Sequence, residues 1–266
     1  MNSHSLAEWL YLLYPQRATE IKLLAYTFLE LLFLGSVELY HQEVKQRGPV
    51  SRHQRRTQVF IRSRKDARPY DYLPHQLVMM EQLWKVQPTS FAYYLGSIEK
   101  ALEGIDYREE YVRRPLRKKK LIQHTPQFLA SLGVKNAEWK QQVKAFRDYA
   151  KGISVEDPHK WEEAVHTLGP LAYILADEPY VGEKVYDSLK GHRLSWASVQ
   201  ASQWYKCPSL NGVGYADGEL VFPEVDVPVM LYTFENTKPR LRSKKGAGVD
   251  DGDTFLDTYL DDHFYS

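Results

Sequence analysis

The sequence is poor in the residues and motifs that most often identify an enzyme. Its 266 residues include one cysteine, Cys207, which excludes an intramolecular disulfide and a zinc site built from several cysteines. It contains no G-x-G-x-x-G or P-loop sequence, and paired carboxylates, a serine nucleophile elbow or a kinase signature do not stand out. We therefore expect no cofactor and no catalytic residues, and we predict a protein that is not an enzyme.

Signals for secretion or membrane insertion are also missing. Residues 1–9 show neither a basic region nor a small-residue cleavage site, so we expect no signal peptide. Residues 21–40 are largely apolar, but Lys22, Glu30 and Glu38 interrupt them, and a charge at the bilayer centre costs roughly 2.5–3.5 kcal/mol. This stretch is better interpreted as a buried core helix. Together with the single cysteine, it predicts a cytoplasmic protein.

What the chain does contain is a balanced charge and many aromatic residues. The formal net charge is +1, so any electrostatic attraction must come from local clusters. Nineteen tyrosines and six tryptophans predict an aromatic core or interface.

Residues 21–62 are the most informative stretch. Thr19 is an acceptable N-cap for an apolar helix over 20–34, and Gly35 is a suitable residue to end it. Alternating runs at 37–40 and 57–62 predict two strands. The loop at 45–56 has five basic residues and no acid, is too long for a tight hairpin, and is expected to be mobile. Helix, glycine, strand, loop and strand is the order of the last helix and wing of a winged helix.

The remaining chain predicts an α+β protein that is mainly α-helical. A winged-helix-like unit at 1–125 precedes a helical domain with a short β segment at 126–235 and a flexible tail with an amphipathic end at 236–266. Further helices are predicted at 6–14, 73–83, 91–103, 107–114, 116–122, 136–151, 158–176 with a break at Gly169, and 181–190, and strands at 219–222 and 229–234.

The candidate binding site is the basic stretch that includes the predicted wing. Nucleic-acid phosphates or anionic lipid headgroups would suit such a surface; the alternative is a solvated loop balanced by acids elsewhere. The helix over 20–34 has few polar residues that could reach base edges, which argues against a conventional transcription factor. The residues assigned to the site are Lys45, Arg47, Arg52, Arg55, Arg56, Arg62, Arg64 and Lys65.

Other polar clusters are better explained structurally. The basic run at 113–120 suits the polar side of a helix near its C-terminus. A helical face that could hold a divalent metal is shared by His159, Glu162, Glu163 and His166, but their spacing does not match the His-Glu-x-x-His pattern and no other ligand helix is evident. The aspartates at 250–253 lack the remaining ligands of a calcium loop. Cys207 has no base nearby in the sequence, and residues 211–214 are too short for a nucleotide loop.

Two segments resemble a known family. Residues 6–13 followed by the helix–glycine–strand order of 29–39, and residues 111–122, are similar in order and spacing to the N-terminal half of Golgi phosphoprotein 3-like proteins. The match covers roughly residues 6–125 and consists of apolar pattern. Members of that family are largely helical, non-enzymatic proteins that bind phosphoinositide headgroups at a basic surface. The resemblance implies a helical, winged-helix-like fold and assigns no functional residue.

The sequence thus predicts a non-enzymatic binding or adaptor protein that acts through its basic loop. A protein or an anionic membrane surface is the expected partner. The alternative is a DNA-binding regulator that uses residues 45–56 as its wing, and an enzyme with an unrecognised site is the third possibility.

Overall fold

The fold is α+β and mainly helical, as predicted, with a small three-stranded antiparallel sheet. It was obtained as a computed structural model. The residues that the structure describes are 4–47, 53–64, 72–122, 137–153, 157–177, 182–195, 199, 204–205, 219–222, 230 and 232–234.

The first two helices form the centre of the molecule. Helix α1 (Leu6–Leu13) begins at a capping box in which Ser5 and Glu8 exchange hydrogen bonds with each other's backbone N–H groups, and it is buried along its whole length. Helix α2 (Glu20–Phe33) begins at Thr19, whose hydroxyl accepts from the Lys22 N–H, as the sequence predicts. Every residue of α2 from Leu23 onward is buried, which confirms the expectation of a central core helix.

Gly35 terminates helix α2, as predicted, two residues after Phe33. The φ of Gly35 is +66°, in the left-handed region that favours glycine. The Gly35 N–H donates to the Leu32 carbonyl and the Ser36 N–H to the Leu31 carbonyl, the hydrogen-bond pair of a Schellman motif. The chain then turns directly into the first strand.

The hairpin that follows is much longer than predicted. Strand β1 (Val37–Arg47) pairs with β2 (His53–Ser63) in an antiparallel ladder from Val37 opposite Ser63 to Arg47 opposite His53. The prediction of a loop over 45–56 was therefore wrong for 45–47 and 53–56, which are strand residues. A two-residue strand, β3 (Thr89–Ser90), pairs with β2 and gives the sheet order β1-β2-β3.

The helices after the hairpin agree with the sequence in position. Helix α3 is Pro74–Val86, and α4 (Phe91–Ala101) begins at Ser90. Asp106 accepts from the Glu109 N–H, as expected of a cap, but the segment it begins is a π-helix (Arg108–Arg113) that continues into α5 (Arg114–Lys118).

The C-terminal half is helical with a second small sheet. Its elements are α6 (Ala137–Gly152), α7 (Pro158–Leu168), a 3₁₀ segment (Gly169–Asp177), α8 (Gly182–Leu189) and the antiparallel pair β4 (Arg193–Ser195) and β5 (Glu219–Val221). Gly169 breaks the helix where predicted, with φ +56°. The prediction of a strand over 229–234 was wrong, because residues 232–234 are helical. The predicted boundary at 125–126 and the tail at 236–266 lie outside the described residues.

A single hydrophobic core runs from Leu6 to Phe234. The Tyr26 hydroxyl of α2 donates to the Tyr173 carbonyl at 3.1 Å, and the Phe33 and Phe222 rings lie 5.1 Å apart. Residues on both sides of the predicted boundary at 125 therefore pack in one core.

Candidate anion-binding surface

The candidate surface lies at the far end of the β1–β2 hairpin. Near the body, Val37, Val59 and Ile61 are buried. From His41 and Thr57 outward the strand residues with described side chains are exposed or half-buried. The ladder continues for six more pairs, from Gln42–Gln58 to Arg47–His53, a distance of roughly 20 Å at about 3.4 Å per residue. We call this projecting part, residues 42–47 and 53–58, the distal arm.

Six of the eight predicted site residues lie in or beside this hairpin. Lys45, Arg47, Arg55 and Arg56 are strand residues of the distal arm, while Arg62 and Arg64 lie at its base. Arg52 and Lys65 are outside the described residues. The predicted site is thus divided into a distal group of four and a basal group of two.

The register places two cations directly opposite each other in the distal arm, Lys45 and Arg55. The next cation along β1, Arg47, pairs with His53. Like charges at directly opposed positions destabilise a ladder, and residues 44–56 include no acid. The distal arm carries four cations, Lys45, Arg47, Arg55 and Arg56, and one acid, Glu43, so its strands have a net positive charge.

The base of the hairpin is arranged differently. Glu38 pairs with Arg62 in the ladder, and the Arg62 Nε donates to the Glu38 Oε2 at 3.1 Å. This hydrogen bond raises the pKa of Arg62, whose guanidinium also lies 4.9 Å from the centre of the Tyr40 ring. Arg62 is thus committed to contacts within the hairpin, and we remove it from the candidate surface.

The second basic cluster, residues 113–120, is largely paired within the body. Arg113 and Arg117 both contact Glu109, and Arg114 contacts Glu110. The Lys119 Nζ lies 2.9 Å from the Glu8 Oε1. These ion pairs agree with the expectation that the run is structural.

Sequence reasoning missed a buried polar network that joins α1, α2 and α3. Glu30 is fully buried; its carboxylate accepts hydrogen bonds from the Leu6 N–H at 3.2 Å, the Gln76 amide at 2.7 Å and the Tyr205 hydroxyl at 2.6 Å. Burial raises the pKa of Glu30 to about 7, although these hydrogen bonds oppose the rise. These partners are too far apart in the sequence for any spacing pattern to connect them.

A second buried carboxylate, Glu8, lies in the same region, and its pKa is shifted in the opposite direction. Burial alone would raise its pKa, but the hydrogen bond with His4 and the charge of Lys119 lower it to about 2. His75 is also buried, and burial lowers its pKa to about 4. Two carboxyl groups whose pKa values are driven apart are typical of acid–base catalysis. Here both side chains are at most 2% exposed, so substrate has no access and we assign the network to the core.

An open cleft of about 460 Å³ lies between the start of α3 and the π-helix. Its polar lining includes Glu110 and Arg114, which are already paired with each other at 2.5 Å. No feature of the cleft identifies a ligand.

The other residues considered in the sequence as metal, nucleotide or catalytic candidates do not form a site in the described part of the chain. His159, Glu162, Glu163 and His166 are exposed on α7, and among the described residues no group of three or more His, Cys, Asp or Glu side chains could hold a metal ion. Cys207, residues 211–214 and residues 250–253 lie outside the described part of the chain.

Comparisons with known proteins do not add an identity. The chain matches no protein-family model, no curated protein and no solved structure. Within the described residues, none of the helices has the length and apolar character required to cross a membrane.

Proposed function

We propose that this chain is a non-enzymatic binding or adaptor protein that holds an anionic partner on its distal arm. The observation that carries the proposal is the register, which opposes Lys45 to Arg55 on a part of the hairpin that extends beyond the body. An anionic partner relieves this repulsion. Acids already lie beside the other cations considered, which are Arg62, Arg113, Arg114, Arg117 and Lys119. An acidic protein segment or an anionic membrane surface in the cytoplasm supplies the required charge.

A second candidate, a winged-helix DNA-binding regulator, is favoured by one observation. Helix α2, Gly35 and the β1–β2 hairpin follow one another in the order of a winged helix, and a two-stranded ribbon is narrow enough for the major groove. However, α2 is buried from Leu23 to Phe33 and presents no face to bases. Such a regulator would contact phosphates through the arm and would bind with little sequence preference.

The test compares three anionic probes with the same set of proteins. Vesicles of phosphatidylcholine with about one third phosphatidylserine test the membrane surface, fluorescent poly-L-glutamate tests an acidic protein segment, and a short DNA duplex tests nucleic acid. The arm variant is Arg55→Glu with Arg56→Glu. The matched control is Lys140→Glu with Lys144→Glu, because these lysines are exposed on α6 and their reversal changes the net charge equally.

We expect the arm variant to bind at least tenfold more weakly than wild type, since each basic residue near an anionic surface contributes about 1 kcal/mol. The control should keep wild-type affinity. A preference for the duplex, with a steep dependence on salt, would favour the regulator. Absence of binding to all three probes at low salt, or equal weakening by the control, would refute the proposal.

A further inference from the structure

The last residues of the sequence have the charge opposite to that of the distal arm. Residues 250–262 include six aspartates, and residues 250–266 include no lysine or arginine. Residues 44–56, in contrast, include five cations and no acid. Aromatic and aliphatic residues, among them Phe255, Tyr259 and Leu260, alternate with the aspartates. The chain thus contains an anionic segment of the kind that its own arm is suited to bind.

The described residues end close to the base of the hairpin. Phe234, near the end of the described residues, is buried, and its ring centre lies 5.9 Å from that of Phe28 and 6.2 Å from that of Phe91. Phe91 directly follows β3, in which Ser90 pairs with Phe60 of β2. The chain therefore leaves the described body beside the base of the hairpin.

The distances suit an intramolecular contact. From Phe60, at this base, to Arg55 is roughly 17 Å along β2 at about 3.4 Å per residue. The sequence predicts a flexible tail from residue 236, and fifteen residues of flexible chain have an r.m.s. span of roughly 20 Å. A tether whose length matches the distance gives an effective concentration on the order of 1 mM.

We propose that the acidic segment 250–262 docks on the distal arm of the same chain and competes with the anionic partner. The proposal rests on the arm being the anion-binding surface described above. The docked aspartates occupy the positions around Lys45, Arg47, Arg55 and Arg56, so an external partner must displace the tail before it binds. Binding to the arm is then weaker in the full chain than in a chain whose tail has lost its charge.

The basic run at 238–245 is the competing attachment point for the same aspartates. It contains five cations and is separated from the acids by residues 246–249. If the aspartates paired with this run, the arm would stay accessible. The contacts of the aspartates would then depend on the five cations of 238–245 and not on those of the arm. The experiment therefore changes the two sets of cations separately.

The direct test is a carbodiimide cross-link in the full-length protein at low salt. The reagent joins a lysine amine to a carboxylate that touches it, and Lys45 is the only lysine in residues 44–56. We expect mass spectrometry of monomeric protein to show Lys45 joined to an aspartate of 250–262. The link should persist when the five cations of 238–245 are changed to glutamine. It should disappear in Lys45→Arg, which keeps the charge but removes the amine.

The functional test replaces all six aspartates of 250–262 by asparagine and measures binding of fluorescent poly-L-glutamate. We expect affinity at least tenfold higher than wild type, with no such gain when the five cations of 238–245 become glutamine. Equal affinity of wild type and the asparagine variant, without a Lys45 cross-link, would overturn the inference and leave the proposed function standing. A Lys45 cross-link with no binding of poly-L-glutamate, vesicles or duplex by the asparagine variant would instead overturn the proposed function. A cross-link found only in dimers would also overturn docking within one chain.

Discussion

At the scale of the residue, Glu30 is the group whose surroundings are most unusual. It is completely buried on α2 between α1, α3 and Tyr205, and it accepts three hydrogen bonds. With a native pKa of about 7 and an ordinary value of 4.5, the native state binds a proton more tightly than the unfolded state. The resulting stabilisation is fully present below pH 4.5 and is lost as the pH rises through 7.

We predict that Glu30→Gln removes this dependence. Glutamine does not titrate, so from pH 5 to pH 8 the variant should gain about 2–3 kcal/mol in free energy of unfolding relative to wild type. Urea unfolding at a series of pH values measures the difference. Parallel profiles for the two proteins would show that Glu30 has the same pKa in the folded and unfolded states.

The comparison with wild type is needed because two neighbours of Glu30, His75 and Glu8, change the stability with pH in the opposite direction. The native pKa of His75 is about 4, so its contribution is present above pH 6.5 and is lost as the pH falls to 4. The pKa of Glu8 is about 2, so its contribution is lost as the pH falls from 4.5 to 2. Both groups are present in the two proteins, so the difference between the profiles reports the titration of Glu30 together with its repulsion from Glu8.

At the scale of the element, the junction between α2 and β1 depends on one backbone conformation. A Cβ at Gly35 would lie 3.6 Å from the Arg64 Nη1, which is ordinary contact, so space is available. The positive φ is the obstacle for any other residue. Gly96, in the interior of α4, provides the matched case, because its φ is ordinary and a Cβ would meet nothing within 4 Å.

We predict opposite effects for the same substitution at these two positions. Gly35→Ala should destabilise the protein by about 1–2 kcal/mol, the strain of a left-handed residue. Gly96→Ala should stabilise it by about 0.5–1 kcal/mol through better helix propensity. Chemical denaturation of the two variants provides the measurement. If both were stabilised, the left-handed turn at Gly35 would be incorrect.

The sequence predicted well those elements that have a clear hydrophobic period or a capping residue at a helix end. Thr19, Gly35, Asp106 and Gly169 all mark helix ends as expected. The outer half of the hairpin escaped prediction because residues 42–47 and 53–58 lack the apolar alternation that identifies a strand.

Two other features could not be read from the sequence for different reasons. Residues 229–234 are a short apolar run, which periodicity cannot assign to a helix or a strand. The Glu30 network brings together residues as distant as Leu6 and Tyr205, so only the tertiary fold reveals it. Of the candidate surface, the sequence identified the cations, but the register that opposes Lys45 to Arg55 required the structure.

At the scale of the whole molecule, contacts across residue 125 predict one cooperative unfolding transition. The Tyr26 hydroxyl donates to the Tyr173 carbonyl and lies 3.4 Å from the Tyr186 hydroxyl. Tyr26→Phe removes these contacts and should lower stability by about 1 kcal/mol without splitting the transition. Calorimetry should give equal calorimetric and van't Hoff enthalpies for both proteins. Two separate transitions in wild type would show that the segments before and after 125 unfold independently.

The sheet order β1-β2-β3 has a final consequence for how copies of this chain meet. In the described part of the sheet, β1 is a terminal strand, and a long edge strand is a template for pairing with the same strand of another molecule. Lys45 and Arg47 lie on that edge. Two approaching copies would bring these cations together, and we expect their repulsion to oppose such pairing. The cations of the proposed anion-binding surface would then have a second role, in keeping the arms of two copies apart.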